Sequence, residues 1–115
     1  MKFGCRESEA IYLKVYNKLV RDKIPQIIEG DKREAVYRFL SDEEYMEELD
    51  KKLSEEVREY QEDRSLEEMA DILEVLFAIC EARGYSLDEL ETKRTEKSEE
   101  RGGFKDKIFL KYTDE

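Results

Sequence analysis

The segment from Met69 to Cys80 is apolar at every position except Asp71 and Glu74. A helix that is apolar nearly all round belongs in a protein interior, so this segment predicts a buried helix. An unpaired charge in such a place is costly, and aspartate is also a poor helix former. In a buried helix, Asp71 therefore needs a cation or hydrogen-bond donors.

Two acid pairs of equal spacing bear on this requirement. Glu56 precedes Glu59 by three residues and Glu68 precedes Asp71 by three, so each pair projects from one face of a helix. The chain contains no histidine. A ligand set made only of oxygen suits a hard divalent cation, and the acids therefore predict a Mg²⁺ site that Mn²⁺ could also fill.

The same acids have an ordinary explanation. Pairs at this spacing are common in a chain this acidic and often lie on a solvated helix face. Glu68 also stands three residues after Ser65, where it would complete a capping box. From the residues alone, a metal site and a solvated face both stay open.

The charge balance restricts the partners of the chain. Its 115 residues include 31 acidic and 21 basic side chains, giving a net charge of −10. Nucleic-acid binders carry a basic footprint, and an anionic membrane surface would repel such a chain. The two cysteines lack metal-ligand spacing and the first residues lack a signal-peptide pattern. We expect a cytoplasmic protein with neither nucleic acid nor membrane as partner.

Helix start signals organise the remaining sequence. Serines at positions 41, 65 and 86, each followed by glutamate three residues later, predict helices over about 42–63, 66–83 and 87–100. A short helix at 26–29 follows Pro25, and Gly84 suits a helix stop. The patterns at Ala35–Leu40 and Lys107–Tyr112 are typical of strands. We predict one domain over residues 1–115, a mainly α helical bundle with a small two-stranded β accessory.

Cations gather at two places in the sequence. The first group lies beside Asp22, and the second lies in the last helix; they comprise Lys18, Arg21 and Lys23, and then Lys93, Arg94, Lys97 and Arg101. Solvated surface and pairing with helix glutamates explain many such residues. Combined with a Mg²⁺ site, however, scattered cations would neutralise the outer oxygens of a polyphosphate, which is what phosphoryl chemistry requires.

Three ordered blocks resemble a known superfamily. Glu56-x-x-Glu59 followed by Glu68-x-x-Asp71 is similar to the ExxE…ExxD signature of the all-α nucleoside triphosphate pyrophosphatases. These include MazG-like proteins, dimeric dUTPases and phosphoribosyl-ATP pyrophosphohydrolase. Lys18–Pro25, Lys52–Val57 and Arg101–Phe104 resemble a branch of predicted house-cleaning pyrophosphatases. The resemblance covers roughly residues 16–112, and an N-terminal arm, 1–15, lies outside it.

The resemblance implies a specific activity and assembly. It implies Mg²⁺-dependent hydrolysis of an NTP or dNTP, including noncanonical ones, to the monophosphate and pyrophosphate by a homodimer or homotetramer. Carried over by position, it makes Glu56, Glu59, Glu68 and Asp71 the metal ligands and Glu55 and Glu56 the catalytic carboxylates. The substrate-binding candidates are Lys18, Arg21, Lys23, Glu74, Lys97 and Arg101, with Glu55 or Glu74 completing the metal shell or orienting water.

Two other classes of protein compete with this interpretation. A non-catalytic helical interaction module would use the acids as helix faces and caps, but it does not need Asp71 and Glu74 inside an apolar run. A di-iron carboxylate bundle is disfavoured, because its Glu-x-x-His ligands require the histidine that this chain lacks.

Overall fold

Helices form the regular structure of the chain. The computed structural model describes residues 13–114. Within that range lie four helices: α1 (Ile24–Gly30), α2 (Asp42–Asp63), α3 (Leu66–Ala82) and α4 (Leu87–Arg101). The mainly α class is confirmed. No helix in this range is both long and apolar enough to cross a membrane.

Side-chain caps begin the three long helices where the sequence predicts them. The Ser41 backbone N–H donates to the Glu44 carboxylate at 3.0 Å, and the Ser41 hydroxyl accepts from the Glu44 N–H at 3.2 Å. Ser86 and Glu89 exchange the same two bonds at 3.3 and 3.0 Å. These reciprocal bonds satisfy donors that a helix N-terminus otherwise leaves unpaired.

Backbone geometry ends α3 at the predicted position. The Tyr85 N–H donates to the Cys80 carbonyl and the Gly84 N–H to the Glu81 carbonyl, both at 3.0 Å. This is a Schellman motif, and it places Gly84 at a φ of +89°, where glycine avoids the steric cost of a side chain. The shortest helix differs slightly from its prediction, since α1 begins at Ile24 rather than Gln26, with Pro25 in its first turn.

The predicted β accessory is wrong for the described chain. Neither Ala35–Leu40 nor Lys107–Tyr112 is a strand, and Phe39 and Phe109 are 89% and 86% exposed. A two-stranded ribbon is marginal in water unless one face packs on other elements. Because these apolar side chains are not covered, β-propensity alone does not form the ribbon.

Helix α3 is also less buried than its composition predicts. Val75 and Cys80 are buried, whereas Leu66 and Leu73 are 79% and 49% exposed. Met69 and Leu76 continue this exposed row at the 3, 4, 3 spacing of one helix face. We call these four residues the α3 stripe. The prediction of a helix buried on all sides is therefore wrong within one copy of the chain.

Contacts divide the chain into two units between Ser54 and Glu55. The first contains α1 and the beginning of α2, where Leu49 is buried. The second contains the end of α2 together with α3 and α4, and α3 packs against α4. Every acid singled out by the sequence as a metal ligand lies in this second unit.

Substituting Gly102 should destabilise the protein. Gly102 ends α4 at φ 84°, ψ 175°, a region that residues with a Cβ essentially never occupy. We expect Gly102→Ala to lower the free energy of unfolding by about 1–3 kcal/mol, measured by urea denaturation. Gly103→Ala is the matched control, since Gly103 has no positive φ and its Cβ would meet no atom within 4 Å. Equal stability of the two variants would contradict this account of the turn.

Candidate metal centre

A two-residue connection brings the acids of α2 and α3 together. Arg64 adopts a φ of 55°, its N–H donates to the Tyr60 carbonyl at 2.6 Å, and Ser65 then caps α3. Short connections of this kind join neighbouring helices of an αα-hairpin. The last turns of α2 and the first turns of α3, which carry the two predicted acid pairs, therefore face each other across the hairpin.

Five carboxylates converge in two overlapping clusters. Oxygen atoms from Glu55, Glu56 and Glu59 lie within 4.8 Å of one another. Oxygen atoms from Glu56, Glu68 and Asp71 meet the same limit. Glu56 belongs to both clusters and is only 6% exposed. All four predicted metal ligands and the predicted catalytic Glu55 are thus brought together, with Glu56 at the shared position.

The side chain of Glu68 is not used for capping. The Ser65 hydroxyl accepts from the Glu68 backbone N–H at 3.2 Å, but the Ser65 N–H does not donate to the Glu68 carboxylate, so the box is incomplete. Instead its Oε2 atom is buried, and no described residue donates a hydrogen bond to it. The capping explanation of Glu68 is therefore wrong for its carboxylate, although correct for its backbone.

Electrostatics at this position favour a neutralising partner. Burial raises the pKa of Glu68, and the negative charges of Asp71, Glu56 and Asp63 raise it further, whereas a hydrogen bond with Glu59 offsets part of this rise. Like charges held close together disfavour the ionised form of each. A divalent cation would remove this repulsion, and clustered carboxylate oxygens are the ligands that Mg²⁺ and Mn²⁺ accept. The donor set, including the buried Glu68 oxygen, fits such an ion.

Glu74 does not join either cluster. Its side chain is exposed on α3, one turn beyond Asp71, and none of its oxygens meets the cluster distances. The assignments of Glu74 to the metal shell, to orienting water and to substrate binding stay predictions.

The first group of cations lies in the first unit. Lys18, Arg21 and Lys23 are exposed, with Arg21 and Lys23 contributing carbonyls to the start of α1. The Arg21 carbonyl accepts from the Ile24 N–H, and the Lys23 carbonyl from the Ile27 N–H, both at 3.0 Å. These bonds give the segment a defined backbone, and its role toward phosphate stays a prediction.

The cations of α4 divide by their partners. Lys93 pairs with Glu96 at 3.2 Å, and the Arg94 Nε donates to Glu91 at 3.0 Å. These two side chains follow the ordinary explanation of intrahelical pairing. Among the described residues, no carboxylate forms an ion pair with Lys97 or Arg101. Those two remain the cations of this helix with charge to offer a ligand.

Sequence reasoning missed three residues near these features. Asp63, the last residue of α2, acts on Glu68, although it stands outside both acid pairs. Lys105 and Lys107 line an open hollow after α4 together with Arg101. Their signal was a local excess of cations around two adjacent glycines in a chain of net charge −10.

Comparisons with known proteins add one partial match. An uncharacterized protein of Mycolicibacterium smegmatis (strain ATCC 700084 / mc(2)155) is 56% identical over 41 residues, which cover 36% of this chain and 42% of that protein. The chain thus matches less than half the length of this relative. No family model matches the chain. No solved structure matches it.

Proposed function

We propose that the chain is a Mg²⁺-dependent pyrophosphohydrolase that cleaves a nucleoside triphosphate, canonical or noncanonical, between its α and β phosphates. The observation that carries the proposal is the convergence of five carboxylates around the buried Glu56. Asp71 and Glu68 join this cluster from the first turns of α3. The resemblance of the three sequence blocks to all-α pyrophosphatases supplies the substrate class.

In this proposal the acids divide into ligands and a base. Glu56, Glu59, Glu68 and Asp71 hold the ion, and Mn²⁺ can replace Mg²⁺. When bound, the ion polarises phosphate oxygens and offsets their negative charge. Glu55, which lies in the cluster with Glu56 and Glu59, orients the attacking water and accepts its proton. The water oxygen bonds to the α phosphorus, the bond to the bridging oxygen breaks, and pyrophosphate leaves.

Cations complete the substrate site in the same proposal. A chain of net charge −10 repels a triphosphate overall, so local positive charge has to offset this field. Lys18, Arg21 and Lys23 bind the phosphates, with Arg21 the strongest candidate, since a guanidinium engages phosphate oxygens in bidentate fashion. Lys97 and Arg101 assist from α4. We place this activity in the cytoplasm.

A panel of nucleotides tests the proposal. Canonical and damaged NTPs and dNTPs, with phosphoribosyl-ATP, are incubated with Mg²⁺ or Mn²⁺, and pyrophosphate and orthophosphate are measured separately. Pyrophosphate should be the primary product, and chelation should stop its release. Orthophosphate as the primary product would show that a different phosphoanhydride bond is cleaved. A panel in which no nucleotide is cleaved would favour the interaction module.

A self-association surface belongs to the same proposal. The α3 stripe exposes a row of apolar side chains on the helix that carries Glu68 and Asp71. A second copy of the chain would cover this stripe and complete the helical bundle that the resemblance implies, as a dimer or tetramer. The stripe is also what favours the competing module, which would use it to bind a helix of another protein.

Leu73→Glu should dissociate the oligomer. Burying a leucine contributes about 1.5–3 kcal/mol, and a two-fold interface contains each residue twice. We therefore expect the dissociation constant to rise at least about tenfold, with light scattering reporting the 13.8 kDa monomer at micromolar concentration. Leu110→Glu, an equally charged change outside the stripe, is the control. A wild-type protein that is already monomeric would contradict the oligomer.

A further inference from the structure

The turn that follows α4 borders an open hollow. Its volume is about 480 Å³, and its lining residues are exposed to solvent. The hollow lies at the carboxyl end of α4, and the Lys107 N–H closes the turn on the Phe104 carbonyl at 3.1 Å. Its lining includes Arg101, Gly103, Phe104, Lys105, Asp106 and Lys107.

The lining is positively charged in a strongly acidic protein. Arg101, Lys105 and Lys107 stand against Asp106 as the only lining acid, whereas the whole chain has a net charge of −10. Within the described residues, none of the three cations forms an ion pair. Their positive charge is therefore available to an anion that enters the hollow.

The backbone of the turn leaves room and a donor for such an anion. The Gly102 N–H already donates to the Ser98 carbonyl at 2.8 Å, whereas no acceptor in the described chain takes the N–H of Gly103. A Cβ placed on either glycine would meet no atom within 4 Å. Glycine at such a position lets a ligand approach the main chain closely, and exposed N–H groups in turns bind phosphate oxygens.

We propose that this hollow binds the phosphate chain of the nucleotide substrate, through Lys105, Lys107 and the Gly103 N–H in addition to Arg101. The identity of the ligand rests on the proposed function, whereas the binding of a polyphosphate does not. Phe104, which is 96% exposed at the edge of the hollow, offers a ring on which a base can stack. This assigns a role to two lysines that the acid signature does not include.

Calorimetric titration tests the assignment with two probes. Inorganic tripolyphosphate is titrated in the presence of chelator, so that the acid cluster holds no ion. An uncleavable α,β-methylene nucleoside triphosphate is titrated with Mg²⁺. The variants are Lys105→Gln/Lys107→Gln and Gly103→Ala. The matched controls are Lys111→Gln/Lys14→Gln, the same charge change outside the hollow, and Gly30→Ala, whose Cβ would also meet no atom within 4 Å.

We expect Lys105→Gln/Lys107→Gln to weaken the binding of both probes by at least about tenfold, or about 1.4 kcal/mol. Gly103→Ala should weaken both by about fivefold or more, whereas the controls should change neither beyond about twofold. The proposed site would be overturned if the control lysine pair weakened binding as much as Lys105→Gln/Lys107→Gln, or if Gly103→Ala left binding unchanged. If the substitutions weaken the binding of tripolyphosphate but not of the nucleotide analogue, the hollow does not bind the substrate.

These outcomes separate the hollow from the proposed function. If no nucleotide in the panel is cleaved but tripolyphosphate binding depends on the hollow residues, the proposed hydrolase activity is overturned and the anion site is supported. If the protein hydrolyses nucleotides and Gly103→Ala leaves its affinity for the analogue unchanged, only the proposal for the hollow is overturned.

Discussion

Asp71→Asn should reduce Mg²⁺-dependent pyrophosphate release by at least about 100-fold in kcat/KM, because even residues that only support metal ligands cost 10–100-fold when changed. Asparagine keeps the size of the side chain but removes a charge from the cluster with Glu56 and Glu68. The fold should persist, since this change also relieves repulsion between like charges. Circular dichroism and steady-state kinetics with the best nucleotide of the panel measure the two effects.

Glu62→Gln provides the matched control. Glu62 lies on α2 near the cluster, yet its side chain is exposed and belongs to neither group of converging acids. We expect its kcat/KM to stay within about twofold of wild type, since it removes charge without removing a ligand. If Asp71→Asn loses its helical signal together with its activity, Asp71 is structural, and if it keeps its activity, Asp71 is not a ligand.

Mg²⁺ should raise the melting temperature of the wild-type protein by about 10 °C. A ligand present at 100 times its dissociation constant stabilises the native state by about 2.7 kcal/mol, and at this chain length that corresponds to about 10 °C. Glu56→Gln should abolish most of the shift, because Glu56 belongs to both carboxylate clusters. The same shift in Glu56→Gln, or none in wild type, would count against a metal at this site.

Without metal, Glu68→Gln should be more stable than wild type at neutral pH. The pKa of Glu68 is raised by burial and by neighbouring acids, so ionising it favours the unfolded chain. Its contribution is fully favourable below its unfolded pKa and is lost as pH rises through its folded pKa. Glu44 has the opposite sign, because its hydrogen bond from Arg38 lowers its pKa to about 2 and its contribution is lost on acidification. Melting curves from pH 2 to 8 in chelator separate the two, since Glu68→Gln removes only the first dependence.

The helices could be predicted from local capping and stop signals in the sequence. Ser41 and Ser86 each form the complete capping box that their spacing predicts, and α2 begins at Asp42 accordingly. Caps and glycine stops act within four or five residues, so they need no knowledge of the rest of the fold. The same short range explains why all four predicted metal ligands come together, since one two-residue connection separates their helices.

Features that depend on packing between distant parts of the chain could not be predicted from the sequence. The segment Ala35–Leu40 has the composition of a strand, but a strand needs a partner and a covered face. The burial of α3 likewise depends on what lies against Leu66 and Leu73, and helix periodicity does not specify this. Lys105 and Lys107 went unrecognised for a related reason, because they converge through a turn rather than along one helix.

Cleavage in ¹⁸O-labelled water identifies the phosphorus atom that water attacks. The preferred nucleotide is turned over once with Mg²⁺, and the products are analysed by mass spectrometry. Attack at the α phosphorus predicts one ¹⁸O in the nucleoside monophosphate and none in pyrophosphate. Label in pyrophosphate or orthophosphate, or no Mg²⁺-dependent turnover of any nucleotide in the panel, would contradict the proposed function.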